Sequence, residues 1–481
     1  MKRPPLIVLV LCGIQLGCRP VPPGAPVVAR EQKPPETATV GARIEPSEPS
    51  SEPCTKVARR ASQLSAGLST SCALFVDATT MCWGKNADGE LGQGDTQDRG
   101  DEPNELAHLG SVNLGEVRVS QVVSRGARTC VVTSAGNVGC WGRNDNGSLG
   151  IGSPSSRTFS RGAKGDDMGA GFLWTQLDMT VRNVVLGMSH ACALSNKGGV
   201  KCWGWNDAGQ LGLGDSRSRG GSLGEMAHEL PPVDLGAGRS ALSLSAGDAH
   251  TCAVLDDHTL KCWGDNQFGQ LGLGDARNRG TRPGEMGDAL TPVDLGSNRT
   301  IQMVAAGAQH TCALLDNGAV KCWGANVGGV LGNATNKQVG DEAVEMGANL
   351  KSIELPKESS VSALFASEFR NCVVFTNGKI SCWGADSYGE LGPSPIDAKA
   401  AQKLKGRPRE VNVSSSRKVT SLALGFSHTC ALLDDGSAKC WGDGDRGALG
   451  YGSIEGIGRD GSKMGDNLPT LDFGTACALH E

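Results

Sequence analysis

The sequence predicts an all-β fold, a seven-bladed β-propeller of four-stranded blades preceded by a signal segment and a disordered tether. Three observations carry the propeller: one pattern occurs seven times, each copy reads as a strand hairpin, and 69 of 481 residues are glycine while aromatics make up only 4%. Glycine at about twice its usual share of roughly 7% suits a chain full of tight turns. Few aromatics and many turns argue for short strands rather than a helical core.

The pattern is clearest in residues 305–332, AAGAQHTCALLDNGAVKCWGANVGGVLG, and related copies begin at Ser65, Ser124, Leu186, Ser245, Ala366 and Leu424, 58–62 residues apart. A fixed period of this kind marks a repeat architecture, and seven is a common blade number. Inside the copy, His310-Thr-Cys-Ala-Leu-Leu passes through Asp316-Asn317-Gly318 into Ala-Val-Lys-Cys-Trp-Gly. That is a hairpin signal, with glycine where a three-residue loop needs a left-handed residue. The upstream segments, residues 301–307 and Pro292-Val-Asp-Leu-Gly296, are expected to supply the other two strands.

Every copy carries two cysteines ten residues apart: Cys72/Cys82, Cys130/Cys140, Cys192/Cys202, Cys252/Cys262, Cys312/Cys322, Cys372/Cys382 and Cys430/Cys440. With Asp316-Asn317-Gly318 as the loop, Leu315 opposes Ala319 and the register sets Cys312 opposite Cys322. If the first pair is hydrogen-bonded, alternation makes the cysteines a non-hydrogen-bonded pair, about 4.5 Å between Cα atoms and within disulfide reach. Seven intrablade disulfides are therefore expected. Zinc is the competing reading, but only His190, His250, His310 and His428 stand two residues before the first cysteine, and Thr70, Arg128 and Arg370 replace them elsewhere. All copies keep both thiols, so the histidines are expected to be packing hydrogen bonders and no metal is expected. Of the remaining cysteines, Cys54 precedes the first copy and Cys477 follows Leu471-Asp-Phe-Gly474. The expectation is a Cys54–Cys477 clasp, with the C-terminal strand completing the first blade.

The N-terminus begins with Lys2 and Arg3, then an apolar run from Leu6 to Leu16, Gly17 and Cys18. The run is too short to span a bilayer and reads as an export signal. Its Leu-Gly-Cys end resembles a bacterial lipoprotein signal, which implies lipidation at Cys18. Gln15 departs from that pattern, so an ordinary secretory signal is the alternative. Residues 19–53, dense in Pro, Glu and Ser, read as a disordered tether. The domains expected are 1–18 signal, 19–53 tether and 54–481 propeller.

The pattern Ala-Gly-x-x-His-Thr-x-Ala-Leu, followed by Gly-x-Val-x-x-Trp-Gly-x-Asn-x-x-Gly-Gln-Leu-Gly, resembles the RCC1 (regulator of chromosome condensation) repeat, and residues 246–272 match it almost throughout. The resemblance implies a seven-bladed propeller with a central channel and two loop faces. It also suggests a second function, nucleotide exchange on a small GTPase with chromatin association. Nothing among the near-equal repeats matches the large insertion that would wedge into a GTPase. The net charge of −5 and the absence of a basic block argue against nucleic acid as a partner.

The inter-repeat stretch Gly274-Asp275-Ala-Arg-Asn-Arg279-Gly280, with Glu285 and Asp288 beyond it, recurs around Asp95, Asp215 and Asp341 and more weakly around Asp166 and Asp460. It is expected to be a salt-bridge and turn network; calcium is the sharper alternative, although the spacing fits neither the EF-hand loop nor the nonapeptide β-roll. The seven Trp residues of Cys-Trp-Gly read as packing groups, leaving Trp174 and Trp205 as candidate contact aromatics. No catalytic motif stands out, and neither Tyr388 nor Tyr451 has a setting for a nucleophile. The leading expectation is a non-enzymatic, cofactor-free, monomeric scaffold at the cell surface or outer membrane. Its membrane contact would be the lipid anchor, and a loop face would bind a protein or glycan.

Overall fold

The computed structural model of the chain describes residues 56–152, 159–356, 359–393 and 406–477, all within the compact unit that begins at Cys54. Seven antiparallel sheets follow one another along these residues, with a two-stranded ribbon of Lys56–Ala58 and Thr475–Cys477 beside them. Sheet 4 represents the set, with strands Ala241–Ala246, His250–Leu255 and Leu260–Gly264. Its first strand alternates buried and accessible residues, whereas the middle strand is buried along its whole length. A strand covered on both faces has no reason to alternate, which explains the near-continuous apolar run His-Thr-Cys-Ala-Val-Leu.

The hairpin register matches the sequence expectation. Leu315 N–H donates to the Ala319 carbonyl at 2.9 Å, Gly318 N–H turns back onto Leu315, and Gly318 has φ 78°. Cys312 lies opposite Cys322, and the same pairing holds in all seven sheets. All seven intrasheet disulfides are formed. The Cα atoms of Cys72–Cys82 stand 4.0 Å apart, and those of Cys130–Cys140, Cys192–Cys202, Cys252–Cys262, Cys312–Cys322, Cys372–Cys382 and Cys430–Cys440 stand 4.1 Å apart.

The fourth strand differs from expectation. In sheet 6 it is a short ladder strand, Arg409–Val411. In sheet 2 it is the segment at Trp174–Thr175, where Thr175 N–H donates to Val138 O at 2.9 Å while Ser160–Arg161 pairs the other end of the third strand. In the other five it is a segment without ladder pairing. In those five it is tied to the third strand by a backbone hydrogen bond such as Val293 N–H to Leu260 O at 2.7 Å. Pro292-Val-Asp-Leu-Gly296 therefore closes the sheet it follows and does not open the next. The same holds at the C-terminus, where Leu471 N–H donates to Ala438 O of sheet 7 at 2.9 Å. Residues 471–474 complete the seventh sheet by hydrogen bonding, not the first. Their side chains still reach sheet 1, where Phe473 packs edge-on against Phe75 at 5.2 Å and tilted against Trp83.

The core is divided among the joints between sheets. Seven apolar clusters each combine residues of two consecutive sheets, and one joins Ala423, Leu432 and Ala438 of sheet 7 to Ala61, Phe75 and Trp83 of sheet 1. The sheets thus close into a ring. At each joint the Trp of Cys-Trp-Gly is completely buried and donates its indole N–H to a carbonyl of the preceding sheet's Gly-x-Leu-Gly loop. Trp263 to Gln210 O at 3.0 Å and Trp83 to Ala448 O at 3.1 Å are two of the seven. One residue therefore supplies apolar bulk and a directional tie to its neighbour. Trp263→Ala should lower unfolding stability by roughly 3–5 kcal/mol, read from the denaturant midpoint at constant m-value. A change below about 1 kcal/mol would contradict this packing role.

Candidate functional site

The first strands of the sheets line a central cavity of about 270 Å³. Along one end of this channel run the turns that join first and second strands, and five of the seven turn-to-turn joints are direct backbone hydrogen bonds. They run from Leu68 N–H to Gly126 O, Met188 to Asp248, Asp248 to Ala308, Ala308 to Glu368 and Phe426 to Gly67, all at 2.9–3.1 Å. The remaining two joints fall where histidine is replaced by arginine. Arg128 donates to Gly187 O at 2.6 Å and His190 O at 2.9 Å, and Arg370 donates to Gly425 O and Phe426 O at 2.8 Å.

The bridged cysteines stand apart from this channel. Cys130–Cys140, Cys192–Cys202, Cys252–Cys262 and Cys372–Cys382, like the other three pairs, are buried inside the apolar joints between sheets, and none of them lines the cavity. The cysteine positions singled out from the sequence are therefore staples of the core, and the candidate site is built from other residues.

The four histidines have the packing role expected of them, each reaching the next sheet. His190 meets Thr251 and His250 meets Thr311 at 3.0 Å, His310 meets Asn371 at 2.9 Å and His428 meets Ser71 at 2.8 Å. Each ring lies against the glycine three residues earlier. A Cβ on Gly187, Gly247, Gly307 or Gly425 would run into the imidazole of that same Gly-x-x-His turn. This explains the glycine and histidine travelling together through the repeat. Burial drives every one of these imidazoles toward the neutral form, lowering His250 and His428 to about 3 and His310 to about 4.

Sheets 1, 2 and 6 lack that histidine; sheet 1 keeps Gly67, whereas in sheets 2 and 6 the glycine position holds Arg125 and Ser367. Sequence reasoning passed over both, although the break in an otherwise regular Gly-x-x-His was visible. Arg125 reaches past sheet 3 to Asp248 of sheet 4, with a 2.8 Å ion pair and a 3.1 Å bond to Ala246 O. Burial works against its charge, but Asp248 and Glu368 hold the guanidinium above its ordinary range. Ser367 and Glu368, both buried, line the same cavity.

On the loop side the inter-repeat network forms as ion pairs. Asp275 takes Arg279 at 2.8 Å, Arg277 at 3.0 Å and the Arg277 N–H, while the Asn266 amide donates to its carbonyl. Burial opposes ionisation of Asp275, but these donors hold it down at about 2. Asp95–Arg99 and Asp215–Arg219 repeat the pair at 2.7 and 2.6 Å. Asp341 accepts from the Gln338 amide, and Asp460 caps Ser462 N–H. Among the described residues no cluster of three or more His, Cys, Asp or Glu is arranged around a metal position.

Trp174 and Trp205 are both half-buried, and Trp174 stands edge-on to Phe172 at 5.0 Å. The Tyr451 hydroxyl bonds Pro469 O and Cys440 O, and Tyr388 is exposed. Lys56 lies opposite Cys477, and Cys477 is disulfide-bonded. Cys18, Cys54, the signal and the tether lie outside the described residues. No helix among the described residues is long and apolar enough to cross a membrane.

With this geometry in place, the family model of the RCC1-like domain matches residues 174–476. The chain is 28% identical to the ultraviolet-B receptor UVR8 of Arabidopsis thaliana over 400 residues, 81% of this chain and 78% of the relative. It is also 28% identical to the human (Homo sapiens) E3 ubiquitin-protein ligase HERC2 over 77% of this chain, but spans only 7% of that protein. Among solved structures it is similar to Prp20p of Saccharomyces cerevisiae, with TM-score 0.57 and 19% identity over 84% of this chain and 87% of the other. Human WBSCR16 gives TM-score 0.58 and 18% identity over 78% and 92%. A propeller-type ring of repeated sheets, its Cys-Trp-Gly strands, its Gly-x-x-His joints and the matched model all agree: this chain belongs to the RCC1-like domain family.

Proposed function

We propose that the chain is a non-enzymatic, monomeric scaffold, a seven-bladed propeller exported from the cytoplasm and held at the cell envelope, whose loop face binds a protein or glycan. The observation that carries this reading is the set of seven buried disulfides, one per sheet. Such bridges persist in oxidising compartments and are rare in the cytosol. The segment 1–18 supplies the export signal, with Cys18 the lipidated residue, and 19–53 the tether. Residues 54–481 form the propeller, and Cys54 pairs with Cys477 to clasp its ends. Nucleotide exchange on a GTPase is not favoured, because no insertion interrupts the near-equal repeats.

The test is fractionation of cells producing the full chain and its Cys18→Ala variant, followed by cross-linking in the envelope fraction. The wild type is expected in the envelope, carrying labelled fatty acid, with the variant released to a soluble extracytoplasmic fraction. A wild-type chain retained in the cytosol would overturn the proposal.

A further inference from the structure

We propose that the floor of the central channel is a binding site for a primary ammonium group, held by the Glu368 carboxylate and the Ser367 hydroxyl. The site arises where the repeat is broken. In the four histidine sheets the imidazole demands glycine; of the three sheets without it, sheet 1 keeps Gly67, and sheets 2 and 6 carry Arg125 and Ser367. Departures from an otherwise consistent repeat are where function is expected to collect.

The polar groups there are not used up by the fold. The Ser367 hydroxyl is buried, with the residue 3% exposed, and has no hydrogen-bond partner. Glu368, 5% exposed, faces Arg125 and Arg370 electrostatically, but no ion pair or hydrogen bond engages its carboxylate among the described residues. Leaving such groups unpaired away from water is costly, and each one calls for a partner.

Charge selects the ligand. Arg125 is paired with Asp248 at 2.8 Å and Arg370 lies 4.0 Å from Glu390, which leaves the Glu368 carboxylate, among the described residues, without an ion-pair partner of its own. A cation bearing several N–H donors answers both the carboxylate and the hydroxyl, since an ammonium has three donors and no acceptor. The cavity of about 270 Å³ has room for an alkyl amine, given that a water's share of liquid volume is about 30 Å³. Two sources share this chemistry, a free small amine and a lysine side chain inserted by a partner protein. The site depends on neither export nor lipidation, so its fate is separate from that of the scaffold proposal.

The experiment is calorimetric titration of the full, oxidised chain with n-butylamine, with the tripeptide Gly-Lys-Gly and with n-butanol. Saturable binding of n-butylamine or the peptide is expected at about millimolar concentration or below, with none for n-butanol. Tighter binding of the peptide would assign a partner's lysine, and tighter binding of n-butylamine a free amine. Glu368→Gln should weaken binding at least about tenfold and Ser367→Gly, which restores the repeat's glycine, by about two- to tenfold. Both variants should melt within a few degrees of the parent. No saturable binding of either amine, equal binding by the parent and Glu368→Gln, or equal binding of n-butanol would each overturn the proposal.

Discussion

Reduced and returned to native buffer without oxidant, the chain is expected not to recover its ring. Each hairpin disulfide closes a loop between cysteines ten residues apart. In the chain-entropy account such a loop stabilises by roughly 2–3 kcal/mol. Seven such terms, about 14–21 kcal/mol together, match or exceed the roughly 5–15 kcal/mol net stability typical of a folded domain. Circular dichroism and near-ultraviolet aromatic signals should therefore show loss of fixed packing around the seven buried Trp residues. A single double variant, Cys312→Ser with Cys322→Ser, should fold and lose about 2–3 kcal/mol. A fully reduced chain that melts with the oxidised one would show the bridges to be incidental.

Acid is the second strong perturbation. The four joint histidines have folded-state values far below the unfolded value near 6.5, because burial excludes the imidazolium. Their contribution is fully present above about pH 6.5 and is lost as pH falls toward 3–4, since only the unfolded chain takes up the protons. By pH 5 each should have lost up to about 2 kcal/mol. Glu90 runs the other way: burial pushes it up to about 7, so its contribution is full below about pH 4.5 and is lost as pH rises through 7. One carboxyl offsets roughly one imidazole, and four imidazoles outweigh it. The melting temperature should fall steadily between pH 7 and 5, and more steeply in Glu90→Gln. A flat profile over that range would show that the histidines are not held neutral.

Much of this was legible in the chain before any coordinates. The cysteine register followed from one loop, Asp316-Asn317-Gly318, because strand alternation leaves no freedom once the turn is set. It carried over unchanged to Cys140, Cys202, Cys262 and Cys382, whose hairpins have the same length. The roles of the Trp and His residues followed from their types and regularity. The ownership of the Val-Asp-Leu-Gly segment was not legible, because a short apolar stretch between two hairpins has the same pattern whichever neighbour it bonds. Only the hydrogen bond from Val293 to Leu260 assigns it, and that assignment moved residues 471–474 from the first sheet to the seventh. The channel floor was hidden for a different reason. Arg125 and Ser367 look like ordinary drift in a repeat until the imidazole that enforces glycine elsewhere is seen, and the reach of Arg125 to Asp248 spans a whole sheet.

The most direct test of the whole account is the thiol state of the chain as its own cells make it. Protein alkylated on lysis without reductant and mapped by mass spectrometry should yield the seven pairs from Cys72–Cys82 to Cys430–Cys440, Cys477 joined to Cys54, and essentially no free thiol in the ring. Widespread alkylation of these cysteines would contradict it, placing the ring in a reducing compartment and removing both its staples and the basis for export.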